Sequence, residues 1–308
     1  MISSAVILSA LELGCIYALV ALALYLSYRT LNIADMTTDG AFTLGCAVSA
    51  TLAVAGHPIL AIPAAMIAGA LAGFVTAFLQ TKMKIPSILA GIITNMGLYT
   101  INLMVMGWSA NVSLLKTETI FSLLQKTGIG GDWYEALLAI CVTVLAGALL
   151  VYFLGTRLGL SIRATGNNID MVRASSINPA FTITIGLCIA NALTALSGAM
   201  VGQYQNTADI NGGTGIVVIG LACLIIGETV IGRRGVARGA IAAVIGSIIY
   251  RFIYAIVLYT KIMPVQGLKL VTAVIVALAI AFPTIRKWAA FQTRKNAAAR
   301  RKGGHGAC

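Results

Sequence analysis

Acidic and hydroxyl side chains gather in one segment, LNIADMTTDGAFTLG (31–45), of a 308-residue chain that is 59% hydrophobic and only 10% charged. The segment carries two carboxylates, Asp35 and Asp39, and no basic residue. A charged side chain inside a bilayer costs roughly 2.5–3.5 kcal/mol on insertion scales, so it needs hydrogen bonds within the protein or a polar path to line. Asp39 could cap a helix that opens at Gly40, and Asp35 could lie in a broken helix that lines a cavity. The sequence leaves both interpretations open.

Three asparagines lie inside apolar runs. Asn95 and Asn102 are two helical turns apart, so they are predicted to share one face of a helix. Asn191 lies in the middle of another apolar run. Hydrogen bonds between helices, at about 0.6 kcal/mol each, would account for such residues. Lining of a path for a polar solute is the alternative.

Two glutamates also fall within apolar runs. Glu12 lies in the first third of the first run, and we predict that its carboxylate reaches the interface, with a polar path or a bound cation as the alternative. Glu228 lies near Arg233 and Arg234 in the sequence, which predicts a local ion pair.

The residues for enzymatic chemistry are missing from the sequence. The six cysteines have no C-x-x-C spacing, and most of them read as small core residues. His57 and His305 both lie outside the apolar runs, so no metal site or intramembrane catalytic pair is expected. No G-x-x-x-x-G-K-[S/T] motif is present for binding ATP. We therefore predict that the chain is not an enzyme and binds no cofactor itself.

The elements that must position these residues are membrane spans. Soluble domains average about 45–50% apolar and about 25% charged residues, whereas this chain has a mean hydropathy of +0.95. A span needs about 20 mainly apolar residues. We predict an all-α polytopic protein with a transmembrane domain, 1–285, and a basic tail, 286–308. The nine predicted spans are 4–27, 40–56, 59–80, 87–107, 135–155, 180–203, 214–231, 239–259 and 267–283.

A weak internal sequence similarity indicates an inverted repeat. CIYALVALAL…LNIAD (15–35) resembles CIANALTALSG…QNTAD (188–209), and five spans separate the two copies. Copies arranged in this way would run in opposite directions and would place a pathway between them, near the middle of the membrane.

The distribution of basic residues predicts the orientation. Most of the 21 lysines and arginines fall in alternate connections and in the tail if the N-terminus is outside and the C-terminus is cytoplasmic. The net charge of +12 is then mainly an orientation signal, and we do not expect a nucleic-acid partner.

The connection between the fifth and sixth spans, SIRATGNNIDMVRASSINP (161–179), is unusually polar. It predicts a short amphipathic helix from Asn167 to Ile177, capped by Asn167 or Asn168 and ended before Pro179. Two interpretations of this loop remain: a solvated basic turn, and an element that docks another protein.

At this loop the sequence resembles the coupling-helix region of permease subunits of bacterial ABC importers, in the branched-chain amino acid and ribose permease superfamily. Ser176 stands where that pattern usually has glycine. The segments 31–50 and 215–250 resemble other parts of these permeases, and the likeness is greatest to the tryptophan/tyrosine-type subgroup that works with lipoprotein receptors. The residues that match the coupling pattern are Arg163, Ala164, Gly166, Asn168, Ala174, Ile177 and Asn178.

The resemblance implies a multi-pass protein of the bacterial plasma membrane that takes up a small solute, in particular an aromatic or branched-chain amino acid. Its implied partners are a dimer of ATPase subunits that bind ATP-Mg, an external substrate-binding lipoprotein that contacts loops 108–134 and 204–213, and a second permease copy. The alternative is a secondary transporter or channel driven by an ion gradient.

The resemblance also implies roles for particular residues. Arg163 and Arg173 would contact or orient the ATPase, and the asparagines of the loop together with Asp170 would cap the coupling helix or face the ATPase groove. The residues expected to contact the ATPase or shape the loop are Arg163, Ala164, Gly166, Asn167, Asn168, Asp170, Arg173, Ile177 and Asn178. The residues expected to line the pathway are Asp35, Asp39, Asn95 and Asn191.

Overall fold

The computed structural model describes residues 4–126, 133–232 and 235–259, and a few helical residues between 270 and 281. The chain divides into two compact units, Met1–Thr260 and Lys261–Cys308. Most of the predicted ninth span and all of the tail lie outside the described residues. The described elements of the first unit are α1 Ser4–Leu24, a π-helical turn Tyr25–Thr30, α2 Thr38–Val54, α3 Pro58–Thr81, α4 Ser87–Val105, β1 Asn111–Ser113, α5 Ile120–Lys126, α6 Tyr134–Gly155, α7 Arg157–Asn167, α8 Ile169–Ala174, α9 Pro179–Gln205, β2 Thr207–Asp209, α10 Ile216–Ile231 and α11 Val236–Tyr259.

Eight of these helices correspond to the first eight predicted spans. Six of them are long and apolar enough to cross a membrane, and α2 and α10 are apolar but shorter. The helical, polytopic architecture is therefore confirmed for the part of the chain that the structure describes.

The two shorter helices begin at the depth of the membrane interior. Asn191 lies near the midpoint of the 27-residue helix α9, which is about 40 Å long at 1.5 Å per residue. Its side chain contacts Asp35, in the irregular segment just before α2. Gly213, in the segment before α10, packs against the backbone of Asp39 in the first turn of α2. Both irregular segments, 31–37 and 206–215, thus reach membrane depth before a short helix departs from each.

The prediction of an all-α fold omitted one small feature. Strands β1 and β2 pair antiparallel, with Asn111 opposite Asp209. The pair covers one half of α2, where Ala208 and Ile210 pack into a buried cluster with Cys46 and Ala50. Helix α5 lies in the connection between α4 and α6, within the loop 108–134.

Glycines allow the helices to approach one another closely. A Cβ atom on Gly45 of α2 would overlap the carbonyl oxygen of Ala195 in α9, and one on Gly198 of α9 would overlap that of Phe42. Gly227 and Gly246 create the same contact between α10 and α11. Lipid tails are as apolar as the helix surfaces, so the hydrophobic effect does not drive helices together in a membrane. They associate through close van der Waals packing instead.

We therefore expect Gly45→Ala to destabilise the protein, because its methyl group must displace backbone atoms of α9. Overpacking of this kind costs about 1–3 kcal/mol. The measurement is the midpoint of thermal unfolding in detergent. Gly97→Ala in α4 is the matched control, since a Cβ there meets nothing within 4 Å. Equal midpoints for the two variants would contradict the packing described for α2 and α9.

Candidate functional site

A polar cavity of about 280 Å³ lies where the start of α2, the middle of α4 and the segment before α10 meet. It contains two of the four residues that we expected to line a pathway, Asp39 and Asn95. Two threonines, two further asparagines and a tyrosine add polar groups to its wall. The lining residues are Asp39, Gly40, Thr43, Asn95, Met96, Tyr99, Asn102, Ile210, Asn211, Gly213 and Thr214.

Asp39 joins the two short helices. Its carboxylate oxygens accept hydrogen bonds from the backbone N–H groups of Gly215, at 3.0 Å, and Val217, at 2.9 Å. A carboxylate at a helix N-terminus satisfies free N–H groups and complements the helix dipole. The prediction that Asp39 caps its own helix is wrong, because α2 already begins at Thr38 and the side chain turns to α10 instead.

The two asparagines of α4 both face the cavity, as their spacing predicts. The Asn102 amide donates from Nδ2 to the carbonyl oxygen of Gly40, at 3.3 Å. Its Oδ1 atom is buried and has no hydrogen-bond partner among the described residues. The orientation of this amide is fixed chemically, because the carbonyl of Gly40 can only accept. Asn102 therefore holds α4 against α2 and presents a free acceptor.

The other two expected pathway residues form a separate bridge. Asn191 donates from Nδ2 to Asp35 Oδ2 at 2.7 Å, and the backbone N–H of Thr37 donates to Asp35 Oδ1 at 2.9 Å. Asp35 and Asn191 are both buried, and neither lines the cavity. This bridge attaches the irregular segment 31–37 to the middle of α9.

Sequence reasoning missed the contribution of segment 210–214, which it assigned to an external loop. In the structure this segment passes along α2, from the cluster around Cys46 to the first turn at Asp39. Its signal in the sequence is the run of small and polar residues, NGGTG (211–215), directly before an apolar helix. Thr43 and Tyr99 were also missed, since neither type is exceptional in a membrane helix.

Both glutamates have partners far away in the sequence. Glu12 is buried and accepts a hydrogen bond from the Tyr204 hydroxyl, in the last turn of α9, at 2.8 Å. Glu228 pairs with Arg29 of the π-helical turn, at 2.9 Å. The arginines that we expected beside it, Arg233 and Arg234, lie outside the described residues.

The polar connection between α6 and α9 folds into two helices where we predicted one. Asn167 is the last residue of α7, and Asn168 caps α8 by accepting from the N–H groups of Asp170 and Met171, each at 3.0 Å. The predicted capping by Asn168 is confirmed, but α8 ends at Ala174 instead of Ile177.

The early end of α8 follows from the residue after its C-terminus. Ser176 has φ +59°, in the left-handed region that glycine adopts without strain. A glycine, which the family pattern described above carries at this position, would adopt this conformation without strain. Asn178 then caps α9 by accepting from the N–H of Ala180, at 3.0 Å.

Helix α7 contacts the first membrane helix directly. Gly166 packs so closely on the carbonyl oxygen of Thr30 that a Cβ atom would overlap it. The hydroxyls of Thr165 and Thr182 are 2.8 Å apart and join α7 to α9. Arg163 shares a polar cavity of about 290 Å³ with the Arg29–Glu228 ion pair.

Helix α8, in contrast, is largely exposed. The Asp170 side chain is 93% exposed and lies only loosely near Arg173, at 3.7 Å. Ile169 and Met171 are large apolar side chains that are also exposed, and Val172 is the buried contact of this helix. Ala164 and Ile177 are partly buried. The helix thus offers an apolar and charged surface at one end of the molecule.

We expect Asp39→Ala to destabilise the fold, because two backbone N–H groups at the start of α10 lose their acceptor at membrane depth. An unsatisfied buried donor costs about 1–3 kcal/mol. Asp39→Asn keeps one acceptor oxygen and should fall between the two. Thermal unfolding in detergent is the measurement, with the exposed Asp170→Ala as control. An unchanged midpoint for Asp39→Ala would show that the carboxylate does not cap α10.

The comparisons with known proteins agree with this geometry. The family model described as a permease component of branched-chain amino acid transport systems matches residues 6–283. A tyrosine transport system permease protein from Clostridioides difficile is 33% identical over 271 residues, or 88% of each chain. The autoinducer 2 import system permease protein LsrC of Yersinia pseudotuberculosis is 26% identical over 68% of this chain and 57% of its own length.

A solved structure adds support for the fold alone. An inward-facing ABC transporter assigned to the metal-chelate type has a TM-score of 0.51 and 16% identity, over 91% of this chain and 85% of its own. The resemblance that we drew from residues 161–179 is thereby confirmed at the level of the superfamily. The chain belongs to the permease family of branched-chain amino acid transport systems, whose family model covers residues 6–283.

Proposed function

We propose that this permease imports an amino acid, that it does so as one of two permease copies, and that a separate ATPase drives it from the cytoplasm. The observation that carries the proposal is the polar cavity at membrane depth. Its wall includes the irregular backbone of residues 210–214 and the carboxylate of Asp39. Irregular backbone and polar groups at this depth are tolerated only where protein or a water-filled path covers them.

The open side of the cavity supports a pathway between two copies. Met96 and Tyr99 form its rim on α4 and are exposed in the single chain. A polar cavity open to lipid would be unfavourable, whereas a second permease copy facing the same rim would enclose water and solute. We infer a homodimer, in which the second copy would present the same exposed rim, Met96 and Tyr99, to the open side of the cavity.

The substrate class is inferred from relatives. The Clostridioides difficile protein is named as a tyrosine transport permease, and it matches this chain over most of its length. The cavity volume of about 280 Å³ is just below the range of small-molecule sites, about 300–1,000 Å³, which favours a solute as small as one amino acid. An external binding protein would deliver the amino acid to the side on which β1 and β2 lie.

The exposed helix α8 supports coupling to an ATPase. Ile169, Met171 and Asp170 are exposed on its surface, and Val172 is its buried contact. Helix α7 rests on Thr30, at the end of the π-helical turn, and the segment 31–37 follows at once. A force on α8 would therefore reach the irregular segment before α2 through a short, closely packed route. In our proposal the N-terminus is external and this end of the molecule is cytoplasmic.

We expect Met171→Glu to weaken binding of the ATPase by at least about tenfold, which corresponds to roughly 1.4 kcal/mol. Met171 is exposed in the single chain and would be buried when the ATPase binds. The substitution therefore places a carboxylate at the centre of the buried contact. The measurement is the amount of ATPase subunit that co-purifies with the chain from its host. Met83→Glu is the matched control, because Met83 is also exposed and lies in the neighbouring connection between α3 and α4. Equal loss in both variants, or none in either, would argue against α8 as the docking element.

Transport itself is tested in liposomes that contain the chain, its co-purified ATPase and, in the lumen or the medium, the external binding protein. We expect uptake of radiolabelled L-tyrosine to require both ATP and the binding protein. Uptake by the chain alone along an ion gradient would instead support a secondary transporter. Uptake of a sugar but of no amino acid would contradict the proposed substrate class.

A further inference from the structure

We infer that the cavity between α2 and α4 binds its solute through a cationic ammonium group, and that Asp39 and Asn102 are the residues that select for it. The inference rests on the proposed function and adds the chemistry of recognition. It starts from the balance of hydrogen-bond donors and acceptors on the cavity wall.

The cavity wall carries a negative charge and no compensating cation. Asp39 is the one ionisable carboxylate among its lining residues, and none of them is lysine, arginine or histidine. The Asp39 carboxylate accepts hydrogen bonds from two N–H groups, and these leave about half of its lone pairs free. A group with several N–H donors and a positive charge is therefore favoured at this position, and a second carboxylate is repelled.

Asn102 supplies a second acceptor. The side chain is 1% exposed, and its Oδ1 atom is buried without a hydrogen-bond partner among the described residues. Leaving such an acceptor unsatisfied costs about as much as a lost hydrogen bond, so a donor from the solute would be gained without a further desolvation cost for this oxygen. Thr43 adds to the same bias, because its hydroxyl proton is donated to the Asp39 carbonyl and its remaining lone pairs can only accept.

The helix N-terminus nearby cannot hold the solute's carboxylate. Helix dipoles attract anions, and α10 begins beside the cavity, but its N–H groups at Gly215 and Val217 are already taken by Asp39. The carboxylate of an amino acid would thus point away from Asp39, towards the open side. At that side Met96 and the Tyr99 ring offer contact for an apolar or aromatic side chain.

The test compares three ligands that share one ring. The chain with its co-purified ATPase, in lipid nanodiscs without the binding protein, is titrated with tyramine, L-tyrosine and 3-(4-hydroxyphenyl)propionate. We expect tyramine to bind at least as well as L-tyrosine, and the propionate, which lacks the ammonium group, to bind at least about tenfold more weakly. Equal binding of the propionate, or no binding of either amine, would overturn the inference. This series needs no variant, so it decides the question even if a substitution prevents folding.

A pair of variants locates the acceptor. Asn102→Leu should weaken tyramine binding about 10- to 100-fold, the range expected for loss of a hydrogen bond to a charged group. Gln80→Leu is the matched control, since Gln80 Oε1 is also a buried amide oxygen without a partner but lies near the end of α3, outside the cavity lining. Equal affinities for Asn102→Leu and the unmodified chain would overturn the assignment. Displacement of tyramine when sodium replaces choline in the buffer would make the cavity a metal-cation site and would overturn it too.

The outcomes separate this inference from the proposed function. ATP-dependent uptake of L-tyrosine that Asn102→Leu leaves unchanged would remove the role of Asn102 and keep the importer. Ammonium-dependent binding without any ATP-dependent uptake would keep the site and remove the importer.

Discussion

The structure depends on one constraint: irregular backbone at membrane depth must find all of its hydrogen-bond partners inside the protein. Two side chains meet this constraint. Asp35 attaches segment 31–37 to α9 through Asn191, and Asp39 accepts from the first N–H groups of α10. Both carboxylates are costly to place in a bilayer. Both are stabilised because they accept hydrogen bonds from backbone N–H groups, which would otherwise have no acceptor in the absence of water. The irregular segments before α2 and α10 are the breaks that these residues permit, and the cavity lies where these segments and helices meet.

The same breaks connect the cavity to the exposed end of the molecule. α1 ends in a π-helical turn, in which the hydroxyl of Thr30 donates a hydrogen bond to the carbonyl oxygen of Tyr25 at 3.0 Å. Such turns are less stable than regular α-helix and are frequent at functional sites. Gly166 of α7 presses on this turn, and the Arg29–Glu228 pair joins it to α10. A displacement of α7 would therefore act on the two helices that border segment 31–37 and the cavity, without passing through the rigid glycine contacts between α2 and α9.

The sequence predicts the apolar spans and the unusual polar residues well, because both signals are local. Hydrophobic runs give the helices, and the insertion cost of a carboxylate singles out Asp35 and Asp39. The partners could not be predicted, since Asn191 lies 156 residues from Asp35, and Gly215 lies 176 residues from Asp39. The partner of Glu12 could not be predicted for the same reason, since Tyr204 lies 192 residues away. Ser176 was recognised as a departure from the family pattern, but only its positive φ explains the glycine that it replaces.

The inverted repeat that the similarity between 15–35 and 188–209 suggests stays a prediction, and the packing supplies an argument for it. Ile16 of α1 contacts Ser197 of α9, whereas Leu31 lies against Gly186, so the two helices run antiparallel. Each is followed by an irregular segment and then by a short apolar helix, and α1 packs along α11 as α9 packs along α3. An antiparallel repeat brings its two breaks to the same depth only if they lie near the middle of the membrane. The hydrogen bonds between Asp39 and the start of α10 join the two breaks, so an inverted arrangement of the two halves would account for the position of the cavity.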